Sequence, residues 1–466
     1  METEKQAASL GLRSFITAIA VIFLLMTAAY ILTLTVPGGT YARTLNADGN
    51  LVIDTAAGFS YTQGGIPFWK WLLSPILVLG SSGNGTLIAV IVFLLVIGGI
   101  FTSLDQCGLM KYILNKTAVR FSGVRYRLMA VVTFFFMAMG AMIGSFEECV
   151  PLVPLAVSLS VGLGWDLLTG IGMSLLAAGC GFASGVCNPF TVGVAQQLAG
   201  LPMFSGIWLR MLSFLLIYLL LTLFLRHHAR KIATPLSTVR ASLPFRQDDR
   251  MDKGMMAFVV ILGTGIALVL SSAFIPALQD LTMVIVAVMF LIAGIVSALL
   301  AGMAPRELGR SFASGVLSIL PAVAMILMAS SIKYTLEEAC VMDTILYGAV
   351  GLAKTLPGWA VVLFIYLIVL VMNFFIPSGS AKAFMLIPLI VPMAQIFGIS
   401  PQLCVVAFAF GDGFSNVLYP TNPALLIALG LADVNYGDWF RWSGKFQLQN
   451  LVLTSLILLV GLAVGY

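Results

Sequence analysis

Glu147 and Glu148 stand side by side in "GSFEECVPLVP" (144–154), and between Leu128 and Trp165 they are the only charged residues. An ionisable group at membrane depth costs about 3 kcal/mol or more unless it is paired or solvated, so it marks an ion or substrate path. Two carboxylates suit an ammonium or another cation. Adjacent residues point in different directions on a helix, so one of the two is expected to face a site, with Ser145 beside them. The alternative is a surface turn between two complete helices. The opposite charge, Lys382, lies in "PSGSAKAFMLIP" (377–388) with Ser378, Gly379 and Ser380. A helix that starts beside such a tip offers free N–H groups and a positive dipole end to a carboxylate. Small residues also serve close helix packing, and Lys382 could equally be the structural partner of an acid.

Two further stretches are rich in oxygen. "GDGFSN" (411–416) and "YPTNP" (419–423) bring Asp412, Ser415, Asn416, Thr421 and Asn422 together in a region that glycine and proline should unwind. Side-chain oxygens and freed carbonyls suit a hard cation such as Na⁺, and a proton on Asp412 fits the same chemistry. A proline kink with local polar satisfaction is the plainer alternative. "GFASGVCNPF" (181–190) supplies Ser184 and Asn188, with Thr191 next, but no acid. Asn84 and Asn373 are weaker candidates, read as a turn and a local hydrogen bond.

The elements that position these residues must be membrane helices. The chain has 466 residues, 60% hydrophobic and 9% charged, with a mean hydropathy of +1.06. Soluble domains carry nearer a quarter charged residues, so the fold class is an all-α polytopic membrane protein. Candidate spans are 14–36, 85–104, 166–200 (interrupted), 203–225, 255–276, 281–303, 312–331, 401–431 (interrupted) and 445–464. The first is read as a retained span rather than a signal peptide. The net charge of +5 gathers in short loops, around Lys111 to Arg127, Arg226 to Lys253 and Arg306 with Arg310. That bias places these loops and the N-terminus in the cytoplasm, with 37–84, 332–357 and the C-terminus outside, and argues against a nucleic-acid surface. His227 and His228 are read as solvated loop residues. The six cysteines show no CxxC spacing and read as small buried residues, not a disulfide or metal set. No Walker, nucleophile-elbow or zinc motif is present, which points away from an enzyme and towards transport driven by an ion or substrate gradient.

An internal repeat locates the site. Asn-Pro occurs at 188–189 and 422–423, an offset of 422 − 188 = 234, and the same offset pairs Pro154 with Pro388 and Gly164 with Gly398. "SLDQCGLMKYIL" (103–114) resembles "TLEEACVMDTIL" (335–346) at 336 − 104 = 232. Five spans separate the repeat starts, and an odd number makes the copies upside-down, the signature of alternating-access carriers. The layout is 1–84, an N-terminal span and outer loop; 85–225, the first repeat with a cytoplasmic-side hairpin at 127–163; 226–311, the basic loop and two linking spans; and 312–466, the second repeat with an outside hairpin at 358–397. Arms of about 14–17 residues reach roughly 21–25 Å, short of a comfortable span, which favours re-entrant hairpins over helix pairs. Loop charges do not decide between the two. About nine transmembrane helices plus two hairpins result. At the 234 offset Glu148 corresponds to Lys382, so opposite charges are expected at mirrored tips.

"FEECVPLVPLAVSLSVGLGWDLLTG", "NPFTVGVAQQLAGLPMFSG", "NFFIPSGSAKAFMLIPLIVPMAQIFGIS" and "FGDGFSNVLYPTNP" are similar to the YfcC-like membrane proteins of the ion transporter superfamily. These stand beside the anaerobic dicarboxylate carriers and p-aminobenzoyl-glutamate transporters. The resemblance runs nearly end to end. It implies a bacterial inner-membrane carrier with inverted repeats and two re-entrant hairpins, often a homodimer, for basic amino acids by antiport or for dicarboxylates. Carriers of carboxylates in this superfamily commonly bear Ser-Asn-Thr at their tips. Here Ser145-Phe146-Glu147 and Ser378-Gly379-Ser380 stand instead, and two buried carboxylates disfavour a dianion. The expectation is a secondary transporter for an arginine- or ornithine-like amino acid, without a cofactor beyond a coupling Na⁺ or H⁺. An ion-coupled carrier of dicarboxylates or peptide-like carboxylates is the alternative. Substrate would be held by Ser145, Glu147, Glu148, Asn188, Thr191, Ser378–Ser380, Lys382, Thr421 and Asn422. Ser184, Asn188, Asp412, Ser415, Asn416 and Asn422 would serve the coupling ion.

Overall fold

The computed structural model describes residues 19–20, 22–45, 51–54, 58–81, 85–110, 112–113, 116, 122–144, 146–202, 204–234, 248–272, 282–353 and 355–466. Ser145 and Asn84, and Lys111, Arg120, Arg240 and Arg246 of the basic segments, lie outside these residues.

The described chain is nearly all helix. α1 (Ile22–Thr35) leads to four short strands, β1 (Gly39–Tyr41), β2 (Arg43–Leu45), β3 (Leu51–Ile53) and β4 (Phe59–Tyr61). They form two antiparallel pairs, β1 with β4 and β2 with β3. α2 (Gly85–Gln106), α3 (Arg125–Ile143), α4 (Val153–Gly162) and α5 (Leu167–Ser184) follow. Then come α6 (Val194–Leu198), α7 (Ile207–Ile232), α8 (Asp249–Ser272), α9 (Thr282–Leu300), α10 (Pro305–Glu338) and α11 (Met342–Ala353). The last five are α12 (Gly358–Phe375), α13 (Gly379–Ile396), α14 (Pro401–Ser415), α15 (Pro423–Leu431) and α16 (Tyr436–Ala463).

The side chains explain why these are membrane helices. On α7 one stripe, Ser213, Ile217, Leu221, Leu225 and Ala229, is buried, while Met211, Leu215, Leu219 and Leu223 form an exposed stripe that is just as apolar. Water would not tolerate that outer face; lipid does. Hydroxyls within the helices donate to their own preceding turn, as Thr133 does to the Met129 carbonyl (2.8 Å) and Ser213 to that of Leu209 (2.7 Å). No polar group on these residues then has to face oil. Among the described residues seven helices are long and apolar enough to cross a membrane: α3, α5, α7, α10, α12, α13 and α16.

Several helices outrun the apolar runs that announced them. α7 continues to Ile232, so His227 and His228 lie on its last turns and not in a loop. His228 Nε2 is 2.9 Å from Asp166 Oδ2. Basic residues are good helix formers and favour a helix C-terminus, so the helix need not end where the oil does. α10 has 34 residues, and α11 follows almost at once, so much of 332–357 is helical. The arms also exceed the expected 14–17 residues: α3 has 19, and α12 and α13 have 18 each. Only α4, with 10 residues after a 3₁₀ turn at Glu147–Leu152, is short.

Contacts at the helix ends fix the layout. Arg125 Nη1 donates to the Leu163 carbonyl (3.2 Å), so α3 leaves and α4 returns at one end. A Cβ built on Gly358 would lie 3.6 Å from the Phe397 carbonyl, so α12 and α13 close in the same way. The first base adjoins Thr234, just past the end of α7. Near the second base, Ser400 donates to the Tyr466 carbonyl and the Tyr466 hydroxyl to that of Gly206, at the start of α7. The two bases therefore lie at opposite ends of a 26-residue helix, about 39 Å apart along its axis. Elsewhere Lys116 pairs with Asp252 (2.5 Å), and Arg43 grips Asp343 through two 2.9 Å bonds.

Matched sequence positions carry matched backbone states. Gly164 and Gly398 are both left-handed, φ 82° and 71°; so are Gly108 and Cys340, φ 78° and 56°, at 340 − 108 = 232. Asp166 caps α5 through Thr169 N (2.9 Å) and Ser400 caps α14 through Leu403 N (3.1 Å), at 400 − 166 = 234.

Glycine sets the tightest packing. A Cβ on Gly181 would fall 1.8 Å from the Met137 carbonyl oxygen, and one on Gly140 would fall 2.1 Å from that of Ala178, so α3 and α5 touch backbone to backbone. Gly181→Ala should lower the melting temperature, at a cost of about 1–3 kcal/mol. Gly309→Ala, on exposed α10 with nothing within 4 Å of its Cβ, should be neutral or stabilising by up to about 1 kcal/mol. A second melting experiment concerns Asp166. Burial pushes its carboxyl up, but hydrogen bonds from His228 and Thr169 outweigh that and hold it below the usual carboxylate range. A lowered folded-state value means a contribution present at neutral pH and lost as pH falls through that value. Asp166→Ala should therefore cost about 1 kcal/mol at pH 7, and the gap to the parent protein should close in acid.

Candidate functional site

Each helix break brings polar groups inward for a local reason. α3 ends at Gly144, left-handed with φ 77°, and Pro151 and Pro154 then prevent a regular ladder through 147–154. α12 stops at Phe375 because Pro377 follows, and Ser378 caps α13 through Ala381 N (3.5 Å). The two Asn-Pro pairs act alike. Asn422 Oδ1 accepts from Ala424 N (2.9 Å) and Asn188 Oδ1 from Thr191 N (3.3 Å), each with proline at the first helical position, where no N–H is missed.

Asp412 sits between two glycines, and the structure shows why. A Cβ on Gly411 would lie 2.6 Å from Val369 Cβ, and one on Gly413 would lie 2.3 Å from Ala183 Cα. Only glycine lets α14 wedge this closely between α12 and α5. The carboxylate delivered there is fully buried, as is Lys382, and Lys382 Nζ lies 2.5 Å from Asp412 Oδ1. The ammonium also donates to the Ile376 carbonyl (2.8 Å) and to Asn373 Oδ1. Asn373 Nδ2 in turn reaches the Asp412 carbonyl (3.0 Å), Ser415 Oγ (2.7 Å) and Asn416 Oδ1 (2.8 Å). Asn422 Nδ2 completes the chain at Asn416 Oδ1 (3.0 Å). Lys382 thus pairs with the acid on the neighbouring broken helix, not with its repeat counterpart Glu148.

The tips cross between the repeats. A Cβ on Gly379 would meet Thr191 Cγ2 at 2.5 Å and Asp412 Oδ2 at 2.6 Å, so the second tip rests on the first repeat's break. Reciprocally, Gly179 leaves room for Val417, just past α14, and for the Phe146 ring of the first tip. Glu147 and Glu148 are half-buried beside it. Among the described residues Glu147 makes no ion pair. The Thr191 and Thr421 hydroxyls are buried without a hydrogen-bond partner among the described residues.

Seven of the singled-out residues therefore meet at one junction: Lys382, Asp412, Ser415, Asn416, Asn422, Gly379 and Thr191. Others stand apart in role. Ser184 donates to the Gly181 carbonyl (2.8 Å) within its own helix, and Ser378 is an exposed cap. Asn373, a weak candidate by sequence, is the hub. Its only signal was a polar side chain near the end of an apolar arm, four positions before Pro377.

Comparison with known proteins gives the family. Residues 15–463 match the family model described as C4-dicarboxylate anaerobic carrier, DcuC. YfcC of Escherichia coli (strain K12), provisionally named a basic amino acid antiporter, is 29% identical over 83% of this chain and 80% of its own. An uncharacterised protein of Haemophilus influenzae is 24% identical over 96% of this chain and 97% of its own. Among solved structures, the Alcanivorax borkumensis YdaH transporter aligns over 97% of this chain and 99% of its own, with 19% identity and a TM-score of 0.42. Neisseria gonorrhoeae MtrF aligns over 95% of this chain and 94% of its own, with 18% identity and a TM-score of 0.45. The resemblance read from the hairpin and break segments is borne out, and the protein is an integral membrane transporter, not an enzyme: the chain belongs to the DcuC family of anaerobic C4-dicarboxylate carriers.

Proposed function

We propose that this carrier exchanges basic amino acids of the arginine or ornithine type across a bacterial inner membrane by alternating access. In this reading its two halves are inverted repeats, the arm pairs 125–163 and 358–397 enter from opposite sides, and the N-terminus is cytoplasmic with the C-terminus outside. Support for the inversion comes from the opposite positions of the two arm-pair bases along α7. The provisional name of the YfcC relative supports the substrate class.

One observation carries the substrate assignment. Lys382, the one basic side chain at the junction among the described residues, is committed to Asp412 at 2.5 Å, so the pair contributes little net charge. Glu147 stands half-buried at the first tip beside Glu148. Two adjacent carboxylates at one tip favour a cation there over a dianion. Glu147 or Glu148 would receive the guanidinium or side-chain ammonium. The start of α13, with Ser378–Ser380, would receive the α-carboxylate at the positive helix end. Thr191 and Thr421 are placed to add hydroxyl contacts from the two breaks.

The alternative, a C4-dicarboxylate, is favoured by the family description, and one experiment separates the two. Proteoliposomes loaded with ornithine should take up labelled arginine by counterflow, and succinate should not compete. Losing a charge-assisted contact of about 1.5–3 kcal/mol should weaken apparent affinity roughly 10- to 100-fold in Glu147→Gln or Glu148→Gln. Succinate counterflow without arginine counterflow overturns the assignment, as does arginine exchange undiminished in both variants.

A further inference from the structure

Oxygens converge in the second repeat as they would around a small cation. Asp412 Oδ1 gives a carboxylate oxygen, Ile376 a main-chain carbonyl and Asn373 Oδ1 an amide oxygen, all within hydrogen-bonding distance of one point. This mixture is the donor set a hard cation takes when broken helices meet in a transporter. The cage is built, not incidental. Asn373 Nδ2 is held by the Asp412 carbonyl, Ser415 Oγ and Asn416 Oδ1, which turns its oxygen inward. The Ile376 carbonyl lies at the end of α12, where Pro377 stops the helix. Asn422 secures Asn416 from the far side of the break.

The point on which these oxygens converge is Lys382 Nζ. The side chain enters from α13, fully buried, and fills the cage with its own positive charge. Asp412 needs a counter-charge there, because an unpaired buried carboxylate costs several kcal/mol. A tethered ammonium supplies it without ever leaving.

We propose that the Lys382 ammonium is the permanent occupant of a monovalent-cation cage between α12, α13 and α14, so that no sodium ion binds there, and that removing the ammonium converts the cage into a sodium site. The proposal deepens the reading of this junction as the coupling side of a carrier, and rests on it for its meaning in transport. A tethered cation cannot be released to either solution, so a sodium gradient has no purchase at this position.

The test reads ion binding on the purified full-length protein, independently of any substrate. Melting temperatures are compared in NaCl and in choline chloride at equal ionic strength. The wild type should melt identically in both. Lys382→Ala should melt lower in choline and recover saturably with NaCl, and the double variant Lys382→Ala, Asp412→Asn should lose that response. Wild-type stabilisation by NaCl that Asp412→Asn abolishes overturns the proposal, as does a folded Lys382→Ala protein indifferent to Na⁺, K⁺ and Li⁺. Should Lys382→Ala yield no folded protein, binding of ²²Na⁺ to the wild type decides. Saturable binding that Asp412→Asn removes refutes the tethered occupant, and absence of such binding supports it. A failure of arginine exchange leaves all of these readouts intact, so the two assignments fail separately.

Discussion

A carboxylate and an ammonium cannot remain charged and apart in a dry, close-packed interior, and the junction of the broken helices is arranged around that constraint. Each ion loses several kcal/mol of hydration on burial, which a single contact does not repay. Lys382 and Asp412 meet it with a direct pair inside a ring of neutral dipoles, of which Asn373 is the centre. The ring needs three elements at once: the end of α12, the first turn of α13 and the last turn of α14. Helix breaks at residues 376–378 and 416–422 are what bring these elements together. The glycines beside Asp412 belong to the same solution, since a side chain at 411 or 413 would hold α14 off its neighbours.

Around this neutral centre the two repeats differ in charge. The first tip carries Glu147 and Glu148, and the break behind it offers only Ser184, Asn188 and Thr191. The second tip carries a lysine already matched by an acid. The acid and the base of the second repeat answer one another, whereas the first tip holds two acids in sequence.

Much of the scaffold was legible in the sequence, because its signals are local. Asn188 with Asn422 and Gly164 with Gly398 marked one repeat offset, and the members of each pair take up the same backbone role. Gly108 and Cys340 show the limit of the same logic, since a cysteine holds a conformation that glycine would have signalled. The ion pair was harder to foresee. Repeat symmetry sets Lys382 opposite Glu148, but a three-dimensional neighbour 412 − 382 = 30 positions away takes its charge instead. Asn373 was underrated because a lone amide in an apolar arm gives no hint of how many partners converge on it. Helix ends were misjudged wherever charged helix formers carry a helix past its apolar run, as at His228 and in the long α10. Side-chain hydrogen bonding across the fold, unlike hydrophobic periodicity, leaves little trace in the order of residues.

The glycine contacts between α3 and α5 have a mechanical consequence. With Gly140 against the Ala178 carbonyl and Gly181 against that of Met137, turning either helix by one residue would drive a side chain into the opposing main chain. The two rods are keyed in azimuth as well as in depth. Phe146, packed against Gly179 of α5, ties the residue next to Glu147 to the same keyed pair. In the proposed transport reading, little disorder would then have to be frozen out when a ligand binds beside it.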